Sequence, residues 1–403
     1  MSMNARHGFY VKNLALTNFC VWVLIVVSVS IGGCSKGTKE YYPSADFEEC
    51  ETVYVGWSTA TPDFTKDLVK TLSIYEHVTL VYDGGKKNEK KIQNDLLQEG
   101  VDLKNIDFLS LEIPKASFWL RDHFPVFLYD KKGREKLLLM NRYPEGDWLM
   151  KKFPFKSKTR LSGNDLFRSI GGAREFNGKG TVILVRQYEK YINADCFTDQ
   201  IEFYYKNAFN QTNIIWLNKG LVTDESKGGI DGDFYYEFAG TNGHVDEFCR
   251  FVNDSTVLLA EVDSILASTD ELMHETYLRM EENYQILQNA RLQDGRKINI
   301  VRVPVAPIIL GENGTRNGEK KLSVLVSSYL NFLITDKVIV LPSYDNYVDS
   351  SGSYQKADEK TASVFKKLAP NHKIVFCDAY KLNASGGGFH CVSYNKTRKR
   401  KCS

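Results

Sequence analysis

The sequence predicts an α/β fold in a single domain. Three observations carry that expectation: short apolar, β-branched or aromatic runs recur along the chain, segments of helical periodicity alternate with them, and no Pro/Gly/Ser-rich linker or low-complexity stretch interrupts residues 46–395. The strand-like runs are Thr52–Trp57, Val78–Tyr82, Phe108–Ile113, Val126–Tyr129, Leu137–Asn141, Thr181–Val185, Asn213–Trp216, Thr256–Val262, Ile298–Val303, Leu322–Val326, Val338–Leu341 and Ile374–Cys377. The helical segments are Phe64–Ile74, Glu89–Glu99, Gln200–Phe209, Thr269–Ala290 and Lys356–Leu368, where apolar residues fall three and four apart with charges between. Thr269–Ala290 is the longest and opens on Ser268-Thr269-Asp270-Glu271, whose side-chain oxygens can cap free amides. Residues 145–180, rich in Lys, Gly and Ser, read as a loop-heavy excursion of the kind that forms lids or binding loops.

The chain is long enough, at 403 residues, for a large core, and its 52 Lys and Arg nearly balance its 50 Asp and Glu. That balance supplies no field to gather a nucleic acid. Only the end, Lys396 to Lys401, is locally basic, and residues 396–403 read as a solvated tail. At the other end, Arg6, His7 and Lys12 precede an apolar run, Leu14 to Ile31, which stops at Gly32-Gly33-Cys34-Ser35. A basic start, an apolar stretch and small residues before a cysteine are the pattern of a bacterial lipoprotein signal, with Cys34 as the lipid-accepting thiol. The alternative is an uncleaved transmembrane anchor, since the run is about as long as a short span. Either way residues 1–34 export the body of the protein and hold it at the membrane of the cell envelope, and residues 35–45 read as a linker.

Of the 8 cysteines, Cys20 leaves with the signal and Cys34 is lipidated. The remaining Cys50, Cys196, Cys249, Cys377, Cys391 and Cys402 are too sparse for a disulfide scaffold, and cysteines and histidines never cluster at zinc-ligand spacing.

Three segments concentrate chemistry. In Asn242-Gly243-His244-Val245-Asp246-Glu247, an extended backbone would turn His244 and Asp246 to the same face, pairing an acid–base group with a carboxylate. Taken alone, such a pair is as well explained by a structural hydrogen bond. In Gly386-Gly387-Gly388-Phe389-His390-Cys391, consecutive glycines mark unusual bends or close approach, and a thiol follows them directly. If Phe389–Ser393 is a strand, His390 faces away from Cys391, which pairs Cys391 with His244 across the fold. A lone cysteine is otherwise a small buried hydrophobe. The third segment, Trp119-Leu120-Arg121-Asp122-His123-Phe124-Pro125, offers an aromatic wall for a cation and a carboxylate to accept its hydrogen bonds; its bland reading is an Arg121–Asp122 surface pair over a buried tryptophan.

Together, Trp119-x-Arg121-Asp122-x-x-Pro125, Gly243-His244-x-Asp246 with Arg250-Phe251, Ser328-Tyr329-x-Asn331-Phe332 and Gly386-Gly387-Gly388-x-His390-Cys391 resemble the agmatine deiminase and bacterial peptidyl-arginine deiminase family, in order and approximate spacing. Phe47-Glu48 through Trp57 resembles its opening strand, and Gly228-Gly229-Ile230-Asp231-Gly232 its central glycine turn. The resemblance spans about residues 46–395 and implies the pentein fold, a five-fold pseudosymmetric ring of ββαβ-like modules. It further implies Cys391 as nucleophile, His244 as general acid and base, Asp122 and Asp246 as guanidinium holders, Trp119 as a pocket wall, Asn331 as support for the cysteine, and Gly388 beside the substrate. No metal or organic cofactor is implied. Phe124 stands where many relatives have glycine, and Arg142, in Asn141-Arg142-Tyr143-Pro144, is the one candidate for a substrate carboxylate.

The residue types suit the chemistry. A guanidinium is a planar fork of donors that carboxylates bind and orient, and a thiolate can attack its carbon. The expected reaction is hydrolytic deimination of arginine in peptides, or of a small molecule such as agmatine, to a ureido product plus ammonia. A cysteine amidase or protease using Cys391 and His244 is the enzymatic rival, but an amide carbonyl calls for donors rather than two aspartates. A non-catalytic surface binder of cationic ligands is the other.

Overall fold

In the computed structural model, residues 41–111, 118–139, 158–160, 167–226, 229–231, 234–238, 240–316, 319–345 and 353–398 are described. Strands alternate with helices as expected, and Val78–Tyr82, Val126–Tyr129 and Thr181–Val185 keep the boundaries read from sequence. Thr181–Val185 and Val338–Ser343 are buried along their whole length, which is why they read as continuous apolar runs rather than alternating ones.

Among the described residues the strands fall into six sheets, and five of these contain the same unit: an antiparallel pair followed by a parallel third strand. The units are Val126–Tyr129 with Glu135–Leu139 and Lys158–Arg160; Arg174–Phe176 with Thr181–Val185 and Asn213–Leu217; Cys249–Phe251 with Thr256–Glu261 and Asn299–Pro304; Leu333–Ile334 with Val338–Ser343 and Lys373–Asp378; and Ser393–Thr397 with Cys50–Gly56 and Val78–Tyr82. A parallel neighbour needs a crossover, and helices supply it in four of the units: Arg186–Ile192 with Thr198–Ala208, Ser264–Thr269 with Glu271–Asn289, Ser353–Leu368, and Lys66–Tyr75. The fifth unit is assembled from both ends of the chain, Val55 pairing with Ser393. A separate sheet, Gly229–Asp231, Phe234–Phe238, Glu319–Val324 and Leu310–Arg316, is inserted between units.

The long helix illustrates how sequence sets the packing. Asp270 caps it, its carboxylate accepting from the Met273 amide at 2.8 Å. Met273, Thr276, Met280, Asn283 and Leu287 are then buried in steps of three and four, one stripe against the Thr256–Glu261 sheet. Ser264–Thr269 forms its own short helix, so the expected start at Thr269 moves to Glu271.

Three expectations shift. Tyr42–Pro43, inside the expected linker, pairs with Leu128 and Tyr129. Lys396 and Thr397, assigned to a solvated tail, lie in the strand Ser393–Thr397, where Lys396 is 8% exposed and pairs with Glu51 at 2.8 Å. Within 145–180, Lys158–Arg160 and Arg174–Phe176 form strands and Gly171–Ala173 a helical turn rather than loop. Arg142, Cys34 and Gly232 lie outside the described residues.

Candidate active site

Each of the five units is preceded by a short turn, at 119–123, 171–173, 244–247, 328–331 and 386–391, and the described residues singled out for chemistry occupy all of these turns but 171–173. Neighbouring turns are bonded to one another. The Arg121 amide donates to the Cys391 carbonyl at 3.0 Å, and the Gly172 amide to Asp122 Oδ1 at 3.3 Å.

The glycines before Cys391 have separate tasks. Gly386 has φ 98°, a left-handed backbone that disfavours a side chain. Gly387 and Gly388 allow close approach: a Cβ at Gly387 would lie 2.7 Å from Trp119 Cζ3, and one at Gly388 2.6 Å from Asn331 Oδ1. Trp119, half-buried, therefore packs against the turn that carries the thiol.

Phe389–Val392 is a turn and the strand begins at Ser393, so the alternation argument for His390 and Cys391 does not hold. His390 is turned from Cys391 for another reason, because both its ring nitrogens are engaged elsewhere. Nδ1 lies 2.6 Å from Asp246 Oδ2 and Nε2 2.6 Å from Asp46 Oδ2. Asp46 also pairs with Arg121 and Arg250, each at 3.2 Å, and Arg250, fully buried, continues to Glu175 at 3.1 Å and to the Leu330 and Phe332 carbonyls. Burial would raise the Asp46 carboxyl, but Arg121, His390 and Arg250 outweigh it and hold the group far below the usual carboxylate range. Burial, reinforced by the two arginines, keeps His390 well below its ordinary value and hence neutral. A neutral imidazole donates once. Two carboxylates thus face that single donor, and the carboxyl of Asp246 is itself raised by burial and, against the opposing Arg250, by the Asp122 charge.

His244 and Asp246 do come together, though not on a strand. His244 caps a helical turn over Val245–Glu247, which brings its Nδ1 to 3.9 Å from Asp246 Oδ1. Buried Asp224 fixes this turn by accepting from the Gly243 and His244 amides at 3.0 Å each and from Thr241. Burial pushes the Asp224 carboxyl up to about 6 despite these donors. The His244 ring stands edge-on to Tyr188, with centroids 4.4 Å apart.

Cys391 is 4% exposed. Asn331 Nδ2 donates to its sulfur at 3.2 Å and to Glu247 Oε1 at 2.7 Å, and the thiol itself donates to Glu247 Oε1 at 3.8 Å. The donor atoms of Asp246, Glu247 and Cys391 all lie within 4.8 Å of one another. Burial raises the thiol well above its ordinary value, Asp246, Glu247 and Asp122 add to that, and the Gly388 amide opposes. Gly388 thus bears on the Cys391 thiol. An incoming cation would offset the carboxylates.

Sequence reasoning missed Glu247, Asp46, Asp224 and Gly172. Glu247 stood inside a singled-out segment, but an extended backbone would have turned it to the face opposite Asp246. Asp46 sat at the assumed edge of the domain, with no signal in its neighbours.

Comparison with known proteins finds relatives along most of the chain. The putative agmatine deiminase of Latilactobacillus sakei is 25% identical over 397 residues, 88% of this chain and 95% of its own length. The agmatine deiminase of Pseudomonas aeruginosa is 24% identical over 359 residues, 83% of this chain and 86% of its own. Among solved structures, the C. jejuni agmatine deiminase superposes with a TM-score of 0.66 at 20% identity, covering 91% of this chain and 99% of that one. The putative arginine deiminase from Porphyromonas gingivalis gives 0.66 at 19% identity, covering 89% and 98%. The mixed α/β fold is therefore that of the agmatine deiminases. Residues 43–396, both chain ends of the fifth unit included, match a single family description, and the chain belongs to the Porphyromonas-type peptidyl-arginine deiminase family.

Proposed function

We propose that the protein hydrolyses a C–N bond of a guanidino group, releasing ammonia and leaving a ureido product, with Cys391 as nucleophile, His244 as general acid and base, and Asp122 and Asp246 holding the guanidinium. The observation that carries this reading is the Asp246 carboxylate. It is fully buried, with Oδ2 held by His390, while Oδ1 has no hydrogen-bond partner among the described residues. An orphaned buried acceptor costs free energy, and a guanidinium N–H would satisfy it while orienting the guanidino carbon toward sulfur. The thiolate attacks that carbon, and the C–N bond breaks as His244 gives a proton to departing ammonia. Water then adds to the S-alkylthiouronium carbon, giving its proton back to His244, and sulfur leaves. Trp119 forms one wall for the cation. Agmatine deiminases among the relatives, one of them solved with substrate bound, support the guanidino class.

The substrate is arginine in a peptide or a small molecule such as agmatine. Ureido product should form from at least one of arginyl peptides, free arginine and agmatine, and Cys391→Ala should abolish it while the protein stays folded. Appreciable turnover by Cys391→Ala would sink the covalent mechanism.

The five repeated units, with Cys50–Gly56 pairing with Ser393–Thr397 from the other end of the chain, support a five-fold pseudosymmetric ring. For location, the sequence supports export and lipid attachment at Cys34: Cys34→Ala should release the protein from membranes, and an unmodified Cys34 within an intact N-terminus would argue for the transmembrane alternative.

A further inference from the structure

Glu247 has no part in the reading above, yet it is 1% exposed and its Oε1 accepts from both Asn331 and the Cys391 thiol. We propose that Glu247 is the proton acceptor that activates Cys391: the S–H bond breaks, the proton passes to Glu247 Oε1, and the thiolate attacks the guanidino carbon. The inference rests on Cys391 being the nucleophile.

Charge conservation decides in its favour. The groups facing the pair are Asp122, Asp224, Asp246 and Arg250, with His244 and His390 beside Asp246. Ionising the thiol to solvent would add a negative charge to a buried space crowded with carboxylates. Handing the proton to Glu247 leaves the total unchanged, so the cost is only the difference between two acidities. Burial, then the charges of Asp224 and Asp246, raises Glu247 well above the usual carboxylate range, which brings it toward a thiol. Geometry supplies the rest. The Glu247 carbonyl accepts from Ser328 Oγ, and Asn331 bridges carboxylate and sulfur, so both ends of the proton's path are held by one amide.

The opposite role, an anion that merely suppresses the thiolate, predicts the opposite sign. Glu247→Gln keeps the size of the side chain and an acceptor for Asn331. With Glu247 as acceptor, Glu247→Gln lowers kcat by on the order of 10²-fold with little change in KM. It also slows alkylation of Cys391 by iodoacetamide at neutral pH and moves the pH profile of alkylation upward. Alkylation as fast as wild type, or faster, overturns the proposal. Wild-type protein gives a test that needs no variant: binding of the acetamidinium cation should raise thiolate absorbance without releasing a proton to buffer, measured calorimetrically in buffers of different ionisation enthalpy. Release of one proton per thiolate overturns it equally. Mass spectrometry of the alkylated protein separates the two failures. If Cys391 is neither labelled nor required for turnover, the assigned nucleophile is wrong; if it is labelled and essential while Glu247→Gln is unaffected, only the role of Glu247 falls.

Discussion

Gly172 gives the sharpest test of the site because its side of the pocket has no room. A Cβ there would lie 2.5 Å from His244 Nδ1 and 2.9 and 3.1 Å from the Asp246 oxygens, against ordinary contact at 3.4 Å. The imidazole must therefore retreat by about 0.9 Å. It cannot do so freely, since its backbone is tied to Asp224 and its ring stands against Tyr188. The Gly172 backbone is not in the left-handed region, so alanine itself is unstrained and the fold should survive. Misplacing a catalytic group by about 1 Å costs on the order of 10²-fold, or about 2.7 kcal/mol of barrier. Gly172→Ala should thus lower kcat for ureido formation by about 10²-fold, with its melting temperature close to that of wild type. A folded Gly172→Ala protein with wild-type kcat would remove His244 and Asp246 from the chemistry.

Two further outcomes follow from the carboxylates. Asp122→Asn should lose most of the wild-type preference for an arginine-containing ligand over its isosteric citrulline analogue, since a hydrogen bond to a charged group is worth about 1.5–3 kcal/mol; an unchanged preference would place Asp122 outside the pocket. Glu189, fully buried and held by Tyr205 and Asn193 at 3.0 and 2.9 Å, is pushed up to about 7 by burial. A raised carboxyl favours the folded state fully below its unfolded value near 4.5, and that advantage is lost as pH rises through about 7. Relative to Glu189→Gln, wild type should lose melting temperature between pH 5 and 8, by an amount reflecting about 3 kcal/mol; parallel melting profiles would refute the shift.

How much was legible from sequence depends on what kind of order was being read. Strand and helix cores were legible because burial leaves a periodic or continuous apolar signature, as in Val78–Tyr82 and Thr181–Val185. The short first strands of several units, such as Arg174–Phe176 and Leu333–Ile334, are too brief for periodicity to register. Cys391, His244, Asp246 and Asp122 could be proposed because glycine, aromatic and carboxylate types concentrate around them, and Asn331 only through the family resemblance. Their geometry could not, because helical turns and not strands present them: the His244–Asp246 approach comes from the cap of Val245–Glu247. Asp46 and Arg250 pair with each other across a separation of 204 residues. No local pattern encodes that.

That separation has a consequence for how the site is made. Asp246 is oriented by His390, and His390 is in turn held by Asp46, 344 residues earlier in the chain. A carboxylate in this setting costs several kcal/mol unless paired, so Asp46 settles only once Arg121, Arg250 and His390 are all in position. Those partners come from three different units, and the segment carrying Asp46 enters through Tyr42–Pro43 pairing on the first of them. Such long-range contacts are entropically the slowest to form. Asp246 is therefore expected to be among the last groups fixed, together with the pairing of Cys50–Gly56 with Ser393–Thr397. In this arrangement, the pocket acquires its buried negative charge only after the surrounding units are in place to hold it.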